Sequence, residues 1–91
     1  MADITKADFY EAAEKFFPEH NIVFEKSYIS DRQFTNCMVG ERMVMRYCPP
    51  LEKYGMPTNI IVFTKDMKPL DCITREDLIT VLTNGIEMGE I

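Results

Sequence analysis

At 91 residues the chain has room for one domain, spanning 1–91, with a core at the small end of what folds without disulfides or metal. Hydrophobic residues at 46% and charged residues at 27% exclude a disordered chain, a collagen-like repeat and a disulfide scaffold. Fifteen acidic residues against ten basic ones leave a net charge of -5, a field that repels phosphate backbones and argues against direct binding of nucleic acid.

No segment approaches the ~18 consecutive apolar residues of a membrane span. The start, MADITKADFY, lacks the basic and apolar regions of a secretory leader. Cys37, Cys48 and Cys72 are odd in number and form no CxxC, so they read as buried free thiols rather than bridges. The expectation from these features is a cytoplasmic protein, complete as written.

The first element opens at Thr5, a helix cap, with Asp8 three residues on in the capping-box position and Ile4 and Phe9 as a hydrophobic staple. Phe9, Ala12, Ala13, Phe16 and Phe17 then recur on one helical stripe until Pro18 stops it, which predicts a helix over 5–17. Residues 22–29 alternate as a strand, with Ile22, Phe24 and Tyr28 on one face and Val23, Glu25, Ser27 and Ile29 on the other. A turn at 30–32 follows.

Strands over 33–39 and 42–48 flank Gly40-Glu41, a two-residue hairpin turn with glycine first. Pairing Val39 with Arg42 sets Met38 against Met43, Asn36 against Met45 and Phe34 against Tyr47 on the expected core face, leaving Thr35, Cys37, Val44 and Arg46 on the other. The breaker-rich stretch PPLEKYGMPT is a loop. Residues 59–65 form a strand whose unbroken Ile60-Ile61-Val62-Phe63 predicts a central position or contact with a second copy.

After a turn at 66–69, Thr74 caps a second helix, with Asp77 at its third position and an Ile73/Leu78 staple. Asn84-Gly85 reads as its left-handed C-terminal cap, leaving a short tail. The order α-β-β-β-β-α, with short turns between the strands, predicts an α+β, two-layer fold: a four-stranded antiparallel meander with an N-terminal and a C-terminal helix.

No constellation for catalysis emerges. His20, the one histidine, lies in a loop without a nearby nucleophile, and His20 with the three cysteines has no zinc-ligand spacing. Carboxylate pairs such as Asp8/Glu11 and Glu76/Asp77 sit at helix starts, where they favour the dipole. The four glycines are isolated and form no phosphate-binding loop. The expectation is a protein that is not an enzyme, with no cofactor and no metal.

The features left over point to contact with a protein. Seven methionines include Met38, Met43 and Met45 on one hairpin face, where they read as core filler rather than as a binding surface. The sheet face away from the helices is expected to carry Val23, Ile29, Cys37, Val39, Val44 and Cys48 among Glu25, Thr35, Arg42 and Arg46, an apolar field with arginines as in protein interfaces. Tyr54 and Lys53 on the proline-stiffened loop, with Met56, extend it. The candidate contact residues are therefore Arg42, Val44, Arg46, Val39, Thr35, Lys53, Tyr54 and Met56.

These features describe a small acidic protein-binding module that occupies a site on a larger protein. A nucleic-acid-processing partner with a basic face would suit the net charge. In size and composition the chain is similar to the small inhibitors that phages and mobile elements encode. The alternative is a sensor or carrier of small molecules, with a Met- and aromatic-lined cavity near Phe34, Met45 and Tyr47. A homodimer is compatible with both.

Overall fold

The computed structural model describes residues 4–91; the reading of the extreme start as free of a leader falls partly on residues outside these. The helix α1 (Lys6–Phe16) is followed by β1 (Ile22–Ile29), β2 (Arg32–Val39), β3 (Arg42–Cys48), a 3-10 turn at Glu52–Tyr54, β4 (Asn59–Phe63), β5 (Pro69–Cys72) and α2 (Arg75–Glu87). The strands form one antiparallel sheet in the order β1-β2-β3-β4-β5. The α+β class and the meander hold, with five strands rather than four.

The additional strand, β5, hides behind Pro69. Proline cannot donate to a ladder, but an edge strand needs donors on one side only. Pro69 therefore pairs with Phe63 while Leu70 and Cys72 reach the core.

Both helix starts form as their sequences dictate. Thr5 Oγ1 accepts from the Asp8 N–H at 3.2 Å and the Asp8 carboxylate accepts from the Thr5 N–H at 2.9 Å, closing a capping box. At the second start Thr74 Oγ1 accepts from the Asp77 N–H at 3.1 Å. The two starts lie side by side: the Ile4 N–H donates to the Ile73 carbonyl, and Arg75 Nε lies 3.5 Å from an Asp8 oxygen.

The expected end of the second helix is displaced by a turn. Gly85 sits inside α2, and a Cβ there would lie 2.2 Å from Ile91 Cδ1, so glycine is needed for close approach rather than for a left-handed cap. Directly after the C-cap Met88, the left-handed residue is Gly89, at φ 73°. Its N–H donates to the Ile86 carbonyl and the Glu90 N–H to the Gly85 carbonyl, the paired bonds of a Schellman motif. This return seats Ile91 in the core.

The core lies between the helices and one sheet face. It comprises Phe9, Ala12 and Ala13 of α1, Leu78 and Leu82 of α2, and Cys37, Val44, Met45, Ile60, Val62 and Cys72 from the sheet. Phe9 is its joint, with ring centroids of Tyr10, Phe24 and Tyr47 at 5.5, 5.8 and 6.1 Å. β4 is an inner strand: Ile60 and Val62 are buried under the helices, and Ile61 and Phe63 turn to the other face.

Candidate functional site

A register shift in the β2-β3 hairpin decides what the uncovered face presents. Val39 pairs with Arg42 and Met38 with Met43 as expected, but a bulge then sets Cys37 against Met45, Asn36 against Arg46 and Thr35 against Tyr47. The extra residue is Val44. A bulge turns two successive side chains toward the same side, so Val44 and Met45 both enter the core and every later residue of β3 changes face.

The expected faces are corrected in two steps: β2 and the start of β3 turn the opposite way, with Thr35, Cys37, Val39 and Arg42 toward the helices, and the bulge then returns Arg46 to the uncovered face. Val44 (0% exposed) and Thr35 (2%) are buried and offer no contact surface. Val39 packs against the core, and Arg42 pairs with it on the helix side, its guanidinium donating to the Phe63 carbonyl at 3.2 Å. Cys37 is likewise buried in the core. Arg46 does lie on the uncovered face. Tyr54 and Met56 are exposed in the loop beyond Cys48, where Leu51 and Met56 exchange backbone hydrogen bonds, and Lys53 Nζ stands 5.8 Å from the Tyr54 ring centroid.

Met38 and Met43, expected in the core, instead share the uncovered face with Phe34, Asn36, Ile61 and Phe63. The cavity expected near Phe34, Met45 and Tyr47 does not form from them, because Phe34 lies on the opposite face from the other two. A groove of about 420 Å³ lies instead by the β4-β5 turn, lined by residues including Thr64, Lys65, Lys68 and Glu90.

Across the middle of the uncovered face one row spans all five strands: Glu25, Asn36, Arg46, Ile61 and Asp71. Arg46 Nε donates to Asn36 Oδ1 at 2.8 Å, and Asn36 Nδ2 donates to Ser27 Oγ at 2.8 Å. At the far end Asn59 Nδ2 donates to an Asp71 carboxylate oxygen. These bonds fix the guanidinium of Arg46 in place.

Phe34 is only 6% exposed although no helix covers it. The reason is arginine: the Arg32 and Arg46 guanidinium carbons stand over its ring, 4.8 and 5.3 Å from the centroid. Arg32 is anchored by a bond from its Nη2 to the Pro49 carbonyl at 2.6 Å. Neither arginine forms an ion pair among the described residues, where the Arg75–Asp8 contact is the one such pair. Their joint field is felt by Cys48: burial raises its thiol pKa, Arg46 and then Arg32 oppose the rise, and Asp71 adds to it.

The positive, aromatic-backed centre is thus bordered by Met38, Met43, Ile61 and Phe63, all partly exposed. Arg32 and Phe34 were missed from the sequence because Arg32 reads as a turn residue and Phe34 as core. A signal for the shift exists in Met43-Val44-Met45, three apolar residues that break strand alternation where the bulge forms.

Removing the Arg46 side chain would leave Asn36 Oδ1 without its partner in a residue 5% exposed. Arg46→Ala is therefore expected to cost about 1–3 kcal/mol, measured by urea unfolding.

Among the described residues no group of three or more His, Cys, Asp or Glu side chains is arranged to hold a metal ion. No helix of the structure is long and apolar enough to cross a membrane. Comparisons of the chain with protein-family models, with curated proteins and with solved structures return no match.

Proposed function

We propose that the protein is a non-catalytic, cytoplasmic binding module that docks its uncovered sheet face onto a larger protein and acts by occupying a site there. The observation that carries this reading is the pair of arginines over Phe34, without ion-pair partners among the described residues and set among partly exposed Met and aromatic side chains. Methionine, aromatic residues and arginine are the types enriched at protein interfaces. A guanidinium fork held by its own hydrogen bonds can take a carboxylate at little further loss of side-chain freedom.

The partner surface that fits is an apolar ridge bearing a carboxylate. Inhibition of a host protein, in the manner of small phage-encoded inhibitors, is the form of occupation that suits the size of the chain. The three thiols, all free, suit a reducing compartment.

The test is affinity capture from lysate of the source cell, or its host, with nuclease present. Met43→Glu places a charge in the apolar border of the uncovered face, and Glu14→Lys alters the exposed side of α1 as a control. A single stoichiometric protein retained by the wild type and by Glu14→Lys, and weakened at least about tenfold by Met43→Glu at unchanged melting temperature, is the expected result. Equal retention by Met43→Glu would overturn the reading.

A further inference from the structure

The two edges of the sheet are unlike. β5 is four residues long, starts with proline and is followed by the contact between Ile4 and Ile73, all features that blunt an edge. β1 has eight residues, no proline and no bulge against β2, and its outer side carries no strand among the described residues. It also holds four of the exposed large hydrophobic residues: Val23 (54%), Phe24 (38%), Tyr28 (69%) and Ile29 (54%).

These four are arranged symmetrically about Lys26. Reading outward from Lys26, Glu25 matches Ser27, Phe24 matches Tyr28 and Val23 matches Ile29. We propose that β1 is the dimer edge of this protein, pairing antiparallel with β1 of a second copy about a two-fold axis through Lys26, so that the two sheets join into one.

The backbone is turned for it. Ile29 and Arg32 flank the two-residue turn Ser30-Asp31 as a hydrogen-bonded pair, so alternation directs the N–H and C=O groups of Phe24, Lys26 and Tyr28 away from β2. In the proposed register Phe24 lies opposite Tyr28 of the second copy on the helix side, and Val23 opposite Ile29 on the uncovered side. Each is a cross-strand pair of the aromatic or β-branched kind that stabilises sheets. A register one step away, centred on Glu25, would set Glu25 against itself and Phe24 against Lys26.

The polar pair also fits. Ser27 Oγ accepts from Asn36 Nδ2, which leaves its hydroxyl hydrogen free to donate to the Glu25 carboxylate of the second copy. The chain of bonds from Arg46 through Asn36 would then cross the interface, and a two-fold axis normal to the sheet would set both uncovered faces on one side. The unfavourable element is Lys26 opposite itself, so salt should strengthen the dimer.

Sedimentation equilibrium at tens of micromolar tests the association, and disulfide capture tests the register. The wild type is expected to be dimeric, and Lys26→Thr to tighten the dimer about two- to five-fold. The double variant Val23→Cys/Ile29→Cys should oxidise to a covalent dimer, since directly opposed residues fall within disulfide reach, whereas either single variant should not. The native thiols do not compete, because all three are buried. A monomeric wild type, or a covalent dimer formed as readily by Val23→Cys alone, would overturn the proposal. The outcome is independent of whether Met43→Glu abolishes partner capture.

Discussion

Phe9→Ala is expected to lower the free energy of unfolding by about 3–5 kcal/mol, measured by urea denaturation. Phe9 is fully buried, and its ring reaches Tyr10, Phe24 and Tyr47, tying α1 to β1 and β3 at once. The Ala side chain leaves a cavity that the sheet cannot close, because Tyr47 and Phe24 are held by their strands. A loss of this size is a large part of the about 5–15 kcal/mol that stabilises a small domain. A loss below about 1 kcal/mol would mean that the aromatic cluster is not the joint described.

Stability is expected to fall steeply on the alkaline side of pH 9. Burial pushes the Cys37 thiol to about 11 and the Cys72 thiol to about 12, the latter with help from the negative charges of Asp77 and Asp71. A thiol whose folded pKa lies above its unfolded value contributes stability fully below the unfolded value, near 9.0, and loses it as pH rises toward the folded one. The unfolded chain then releases a proton that the folded chain keeps, which drives unfolding by about 1.4 kcal/mol per thiol per pH unit. Urea unfolding of wild type and Cys72→Ala at pH 8, 9 and 10 separates this from tyrosine and lysine titration, which both proteins share. The wild type should lose about 1 kcal/mol more between pH 9 and 10, because the unfolded thiol is already half ionised at its value near 9.0; equal losses would contradict the account.

How far the sequence reveals this molecule depends on whether the information is local. The capping box at Thr5-Asp8, the cap at Thr74 and the hairpin turn at Gly40-Glu41 are set by neighbours a few residues apart, and all three form where the residues predict. The bulge at Val44 is not local. It is settled by the demand of two helices for apolar cover, which draws Val44 and Met45 to the same side and turns Arg46 outward. β5 and the end of α2 depend on distant partners in the same way: Pro69 is tolerated because the strand is at an edge, and Gly85 is required by Ile91 folding back.

The candidate face inherits both kinds of information. Arg46 reads as an outward arginine, but only the bulge puts it there, because Arg42 and Val44 of the same alternation point to the helices. Arg32 over Phe34 was invisible, because a turn residue and an apparent core aromatic reveal nothing of each other until the sheet brings them together. Thr35 and Val44 keep the alternation their sequence predicts but turn toward the helices, because alternation alone does not say which face of a strand the helices cover.

The most direct test of docking through the uncovered face uses the methionines as reporters. Met38 and Met43 lie on that face, whereas Met67 and Met88 are exposed elsewhere. Hydroxyl-radical oxidation of the free protein and of its complex with the captured partner, read by mass spectrometry, should show Met38 and Met43 protected on binding while Met67 and Met88 oxidise as before. Unchanged oxidation of Met38 and Met43, with protection at Met67 or Met88, would contradict the account and move the contact to another surface.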